Sequence, residues 1–281
     1  MSLAPVSGFA ALMKQRADCI LDRLAAAPII TLHCVVDASG AGASQLQGEA
    51  LRSLTFTSTA WRAEGGTPAI GKMTVRKRLE RDEVDSLRAQ LPPLTVVRLR
   101  AHWIDDPEIG GAHALLVEVL PSNGVDPDLE RIAETQRQPV AIQDEILGML
   151  SLDRRLQQFR GKSSYGGHDV SVAVDAASVE TLSLGVAHLH ALWGDQAASL
   201  AAATECAARD LLRVMNDSWL DADESELGES DFKLRLSLQA IEMDAHGRVC
   251  FSFGDGGMFA GHSVSVHGTV DRGFDRATLV G

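Results

Sequence analysis

Three residues with the chemistry of a nucleophilic triad lie close together near the end of the chain. Asp255, His262 and Ser263 are the acid, base and hydroxyl types that a serine hydrolase uses. The surrounding sequence, GHSVS over 261–265, does not match the G-x-S-x-G turn that exposes such a serine. Alternation along a strand also points His262 and Ser263 to opposite faces. We therefore expect a buried, structural His262, and we keep a hydrolase that uses His262 and Asp255 as an alternative.

A strongly acidic stretch, residues 217–231, holds seven carboxylates and no Lys or Arg. It does not fit a calcium-binding EF-hand, because a loop starting at Asp221 would place Glu226 where Gly is needed and Phe232 where Glu is needed. Surface carboxylates steer the approach of a positively charged protein, and an amphipathic Trp can anchor the segment on the core. The stretch therefore predicts a binding surface for a basic protein partner. Its candidate residues are Asp217, Trp219, Asp221, Asp223, Glu224 and Glu226.

Two basic clusters are candidates for anion binding. Arg154 and Arg155 lie in a predicted strand, where a buried ion pair is the alternative interpretation. The second cluster lies in the basic segment 72–81 and comprises Lys72, Arg76, Lys77 and Arg78. Such a segment can follow a phosphate backbone, which leaves nucleic-acid binding as a further alternative. Single-strand binders also need aromatic stacking platforms, and the nearby aromatic residues alternate as core residues do, which disfavours this partner; they are Phe56, Trp61 and Trp103.

No metal or cofactor site is predicted. His188 and His190 are two residues apart on a predicted helix, so their side chains point about 200° apart around its axis. The four cysteines lack C-x-x-C spacing and are interpreted as small buried hydrophobic residues; they are Cys19, Cys34, Cys206 and Cys250. A glycine-containing loop over 39–42 follows a strand, but it lacks the residues of a P-loop or a dinucleotide fingerprint.

The charge of the chain is acidic overall but segregated. The 281 residues carry a net charge of −12, and their 45% hydrophobic content excludes disorder as the main state. Residues 50–104 hold ten Lys or Arg against five acids, whereas residues 105–145 hold ten acids against two Arg. An acidic protein is repelled by anionic membranes, and no stretch is long and apolar enough to span one. With no signal-peptide pattern and no cysteine framework, we expect a cytoplasmic protein.

The elements that must position these residues predict an α+β protein of two domains. Residues 1–27 form an N-terminal helix, and residues 28–121 alternate as the strands of a small barrel-like, OB-like domain. Residues 122–139 have the composition of a linker. Residues 140–281 predict an antiparallel sheet packed on a helix pair, with the alternating segment 232–239 as one of its strands.

Three motifs in the second half resemble an uncharacterised bacterial family, domain-of-unknown-function family 2262. They are LDRR over 152–155 with Phe159 and Gly161, NDSWL over 216–220, and DGGMF over 255–259 with GHS over 261–263. The resemblance covers about residues 144–281. It implies a bacterial protein without an assigned activity, of a kind associated with toxin–immunity neighbourhoods.

Taken together, these observations favour a non-catalytic bacterial module for protein–protein interaction, of an immunity or inhibitor type. The supporting features are the segregated charge and the lack of a complete catalytic constellation. The alternatives are the hydrolase that uses His262 and Asp255, and a nucleic-acid binder that uses the segment 72–81.

Overall fold

The computed structural model describes residues 18–45, 50–121, 124, 126–175, 178–220 and 225–281. The chain divides into two compact units, Met1–Gln138 and Pro139–Gly281. Each unit has its own hydrophobic core.

The first unit is built on a closed five-stranded barrel. Its strands are β1 (Ile29–Val36), β3 (Arg52–Ala63), β4 (Ala69–Leu79), β5 (Val96–Asp106) and β6 (Gly111–Leu120), with the short β2 (Gly42–Ser44) paired to β3. The ring runs β1-β5-β6-β4-β3 and closes through the pairing of β3 with β1. Among the described strands of this unit, only β4 and β6 pair in parallel. The predicted OB-like barrel is confirmed.

Period-two alternation explains why these strands close around a core. Leu54 and Phe56 on β3 are buried, while Thr55 and Thr57 face outward and are only partly covered. The same alternation buries Met73, Val75 and Leu79 on β4, whereas Lys77 between them is only partly covered. A closed barrel leaves no long unpaired edge. The aromatic residues that the sequence assigned to the core, Phe56, Trp61 and Trp103, all pack against this cluster.

Helices cover parts of the outer barrel surface. Residues 18–26 are helical (α1), and Ile20 and Leu24 on this helix pack against Ile109. Residues 1–17 of the predicted first helix lie outside the described residues. A short helix, α2 (Glu83–Ala89), joins β4 to β5.

A third helix, α3 (Pro127–Arg137), occupies most of the segment that the sequence assigned to a linker. The side chain of Asp126 caps its N-terminus by accepting from the amide of Leu129 at 3.2 Å. Arg62 on the barrel pairs with the same buried carboxylate at 2.5 Å. Leu129 and Ala133 pack against the barrel, so α3 is part of the first unit.

The second unit is an eight-stranded sheet with helices on one face. Its strands, in spatial order, are β14 (Gly273–Val280), β13 (Ser263–Thr269), β12 (Arg248–Gly254), β11 (Ser237–Met243), β10 (His168–Asp175), β9 (Gln158–Tyr165), β8 (Gly148–Asp153) and β7 (Ala141–Asp144). Every pairing is antiparallel except that of β10 with β11. Parallel neighbours need a crossover connection, which α4 (Val179–Gly194), α5 (Gln196–Ser218) and α6 (Glu229–Arg235) supply. The predicted α+β class is confirmed.

The strand expected over 232–239 is wrong in its first half. Phe232 belongs to α6, and β11 begins only at Ser237. The alternation of apolar residues was misleading because Phe232 and Leu236 are also one helical turn apart and are both buried, whereas Leu234 is 82% exposed.

The edge strand β14 is sealed by α5. Arg209 on α5 donates to the carbonyl of Asp275 at 2.7 Å, and Asp210 accepts from the amide of Ala277 at 2.8 Å. These bonds occupy backbone groups that would otherwise offer a pairing edge. The helix therefore closes this side of the sheet.

Candidate functional site

The triad candidates lie in a tight loop that joins β12 to β13. Asp255 is buried, and its Oδ2 accepts from the amides of Phe259 at 2.7 Å and Gly261 at 3.1 Å. Its Oδ1 accepts from the amide of Gly257 at 3.1 Å. Burial raises the pKa of Asp255, but the backbone donors lower it more, and the net pKa lies below its usual value. The carboxylate therefore organises the loop with both of its oxygens.

His262 lies at the end of this loop beside an aromatic cluster. Its ring meets Trp219 edge to face with the centroids 5.6 Å apart, and Trp219 meets Phe259 in the same way at 5.7 Å. Ser263 is the first residue of β13 and pairs with Gly254. The structure thus brings Trp219 and His262 together, as a packed cluster at the end of α5.

The described part of the acidic stretch borders a groove along α5. The groove has a volume of about 520 Å³, and its walls include Glu205, Leu212, Asn216, Asp217, Glu226 and Glu229. Asn216 fixes the far wall, because its side-chain amide donates to the carbonyl of Leu227 at 3.1 Å and accepts from the Leu227 amide at 3.0 Å. Asp221, Asp223 and Glu224 lie outside the described residues. We call this feature the α5 groove.

The carboxylates of the α5 groove differ in how far they are neutralised. Lys233 pairs with both Glu205 and Glu229. Arg213 pairs with Asp217 at 3.1 Å, but both side chains are well exposed, so this pair is weak. Glu226 makes no ion pair with any residue of the described ranges. The groove therefore retains carboxylates that a basic group can approach.

The basic residues of β4 are largely engaged within the first unit. Arg76 contacts the ring of His113 at 2.9 Å, and burial lowers the pKa of Arg76. Lys77 donates to the carbonyl of Val117 at 2.6 Å, and Arg78 donates to Asp18 at 3.4 Å. Lys72 is exposed. No aromatic side chain stands beside these residues on the outer face of β3 and β4, within the described strands.

Arg154 and Arg155 do not lie in a strand, contrary to expectation. They belong to the turn over 154–157 between β8 and β9. Asp153 shapes this turn by accepting from the amides of Arg155 at 2.9 Å and Leu156 at 3.2 Å. Arg154 is half-buried in this turn and Arg155 is exposed.

The structure also shows a polar groove that the sequence did not predict, on the face of the sheet opposite the helices. One cross-strand row joins Glu242, Cys250, His267 and Arg276 on four adjacent strands. This row lines a groove of about 630 Å³. The signal for it was the polar or sulfur-containing residue at every second position of β12 and β13.

The row changes the interpretation of one cysteine. Cys250 is half-buried among polar neighbours, and burial together with the nearby Glu242 carboxylate raises the pKa of its thiol. Cys34 and Cys206 are buried as expected, whereas Cys19 is exposed. Burial raises the pKa of Cys34 to about 12, so its thiol stays protonated.

The two histidines of α4 contact different elements. His190 binds both carboxylate oxygens of Asp144 at 3.0 Å, while the ring of His188 lies against Gly247 in the turn between β11 and β12. Among the residues that the structure describes, no group of three His, Cys, Asp or Glu is arranged to hold a metal ion. No helix within the same residues is both long and apolar enough to cross a bilayer.

Comparison with known families gives one match for each half of the chain. Residues 144–279 match the model described as "Uncharacterized protein conserved in bacteria (DUF2262)", which confirms the resemblance of the second half. Residues 20–136 match the model described as "Domain of unknown function (DUF7021)". No curated protein matches the sequence.

Proposed function

We propose that this protein is a non-catalytic cytoplasmic module that binds a basic protein partner, in the manner of an immunity or inhibitor protein. The observation that carries the proposal is the α5 groove, where Glu205, Asp217, Glu226 and Glu229 come from three segments to line one surface. Clustered carboxylates favour a positively charged partner and speed its encounter.

The position of the triad residues supports binding over hydrolysis. A catalytic acid must be free to orient its histidine. Both oxygens of Asp255 accept backbone amides instead, and the His262 ring packs on Trp219. The loop that holds these residues supports the end of α5, next to the groove.

The polar character of the α5 groove also fits a protein surface better than a small molecule. Small-molecule sites are mostly apolar with a few polar groups. Here charged side chains dominate, and the groove opens on the exposed side of α5. A partner would bind such a surface through many charge–charge contacts, each of them weakened by the surrounding solvent.

The proposal is tested with a fluorescein-labelled ten-residue lysine peptide as the probe, followed by fluorescence anisotropy. The variant replaces the four carboxylates that line the groove, Glu205, Asp217, Glu226 and Glu229, with their amides. The control neutralises four exposed carboxylates elsewhere in the second unit, at Glu180, Glu242, Asp271 and Asp275. Both variants change the net charge equally.

We expect the groove variant to bind the peptide about tenfold more weakly, because four screened surface contacts are lost. The control should change the affinity by less than about twofold. Equal weakening in the two variants would show a general effect of net charge and would refute the α5 groove as the binding surface. Unchanged binding in both would also refute it.

A further inference from the structure

The two edges of the eight-stranded sheet are treated differently. At β14, side chains of α5 occupy outward backbone groups of Asp275 and Ala277. At the other edge, β7, no described residue provides such a bond. Folded proteins generally protect sheet edges, because an unpaired edge recruits another strand. The edge at β7 is therefore open to pairing with another strand.

The hydrogen-bonding pattern shows which groups of β7 are open. The amide of Leu152 donates to the carbonyl of Val140 at 2.8 Å. Antiparallel pairs alternate between hydrogen-bonded and non-hydrogen-bonded residues. The next bonded residue is therefore Ile142, and the amides and carbonyls of Ala141 and Gln143 point away from β8. These two residues are exposed and present an open strand edge.

Exposed apolar side chains border this edge. Val140 is 39% exposed, Ile146 46% and Met149 57%. The one acid within β7, Asp144, is held by His190 on α4. Edges that avoid pairing usually carry charged gatekeepers or proline; Pro139 and the exposed Glu145 flank β7, and the two outward positions between them, Ala141 and Gln143, carry neither.

We propose that β7 pairs with β7 of a second copy of this chain, antiparallel across a two-fold axis. Centred on Ile142, the pairing places Ala141 opposite Gln143 of the other copy and makes about four backbone hydrogen bonds. The two Ile142 side chains meet at the axis. Asp144 then faces Val140 of the other copy, so no like charges are opposed. A two-fold contact of this kind needs one self-complementary surface.

The pairing is independent of the α5 groove and does not use its residues. Because β7 has only four residues, the contact is smaller than a standard interface, and the dimer is weak and depends on concentration. The exposed apolar side chains beside the strand add the buried area that the backbone bonds lack.

The test is the molar mass of the full chain by size-exclusion chromatography with light scattering over a dilution series. The wild-type mass should rise from 30.0 kDa towards twice that value as concentration increases. Gln143→Pro removes only an outward amide, and Gln143→Lys adds a gatekeeper charge. Both variants should remain monomers at the highest concentration. Ser171→Lys, an exposed position on the interior strand β10, is the matched control and should still dimerise.

Far-UV circular dichroism and thermal unfolding confirm that each variant is folded. A wild-type mass of 30.0 kDa at every soluble concentration would overturn the proposal. A dimer that persists unchanged in Gln143→Pro and Gln143→Lys would place the contact elsewhere and overturn it equally.

Discussion

Replacing Asp255 with Asn tests whether this residue organises the β12–β13 loop through its charge. The carboxylate accepts three backbone amides, from Gly257, Phe259 and Gly261. An Asn side chain has one oxygen and one amide group, so it keeps two of the bonds as neutral ones. Its amide group then faces the third N–H, and two donors oppose each other.

The expected loss of folding stability follows from these three hydrogen bonds. Hydrogen bonds to a buried charged group contribute roughly 1.5–3 kcal/mol each, against about 1 kcal/mol for neutral bonds. Losing one bond and weakening two gives a destabilisation of about 3 kcal/mol. For a unit of this size, that lowers the unfolding temperature by about 6–12 °C. The loop tolerates little adjustment, because a side chain at Gly256 would lie 2.4 Å from the carbonyl oxygen of Arg235.

The pH dependence separates a charge effect from a loss of shape. The pKa of Asp255 is lowered in the folded state, so its ionised form stabilises the fold fully above the usual value near 3.8. This contribution disappears as pH falls through the folded pKa. The difference between wild type and Asp255→Asn should therefore be constant from about pH 7 to pH 5 and shrink below about pH 4.

The assay is urea unfolding at a series of pH values, followed by tryptophan fluorescence, since Trp219 lies against this loop. Asp271→Asn, an exposed carboxylate in the β13–β14 turn, is the control and should change the stability by less than about 0.5 kcal/mol. A loss below about 1 kcal/mol for Asp255→Asn, or a difference that stays the same at low pH, would refute the reasoning.

Two further substitutions test the local conformation and the sealed edge. Ala260 in the same loop has a φ of 52°, a strained value for alanine. Ala260→Gly should therefore relieve strain and raise the unfolding free energy measured in urea titrations by about 0.5–1 kcal/mol. The control Ala245→Gly, at a position with negative φ, should give no gain. Asp210→Ala should leave the Ala277 amide without its acceptor and lower the unfolding free energy by about 1–2 kcal/mol. Asp210→Asn keeps an acceptor oxygen and should lower it less. Equal losses in the two variants would contradict the hydrogen bond between Asp210 and Ala277.

The barrel could be predicted from the sequence because most residues of its strands alternate between core and surface. Leu54 and Phe56 on β3 and Met73 and Val75 on β4 follow this pattern, although a bulge after Ser58 interrupts it. The ring order and the closing contact between β1 and β3 depend on pairings distant in sequence. A pattern along one strand does not determine those pairings, so the sequence predicted the barrel type but not its strand order.

The candidate site could be predicted only in part, because the sequence does not show which side chains already have backbone partners. The types of Asp255 and His262 suggested chemistry, whereas the loop geometry turns the Asp255 carboxylate toward its own amides. The polar groove escaped prediction for a related reason. Cys250 looks like a core residue by type, and only the register between β12 and its neighbours places it beside Glu242 and His267.

The motifs that carry the family resemblance share a physical task, which bears on where function lies. Asp153 binds the amides of its own turn, Asn216 binds the backbone of Leu227, and Asp255 binds the amides of its loop. Each is a side-chain device that fixes an irregular backbone segment between regular elements. Motifs of this kind identify a fold and leave its partner unspecified.

If these motifs act as scaffold, activity belongs to surfaces that they support. The 216–220 motif fixes the wall of the α5 groove, and the 255–263 loop packs under Trp219 at the end of the same helix. Loosening this support should therefore weaken the groove without touching its carboxylates. The Asp255→Asn variant, assayed with the labelled lysine peptide below its unfolding transition, would show whether the groove depends on this loop.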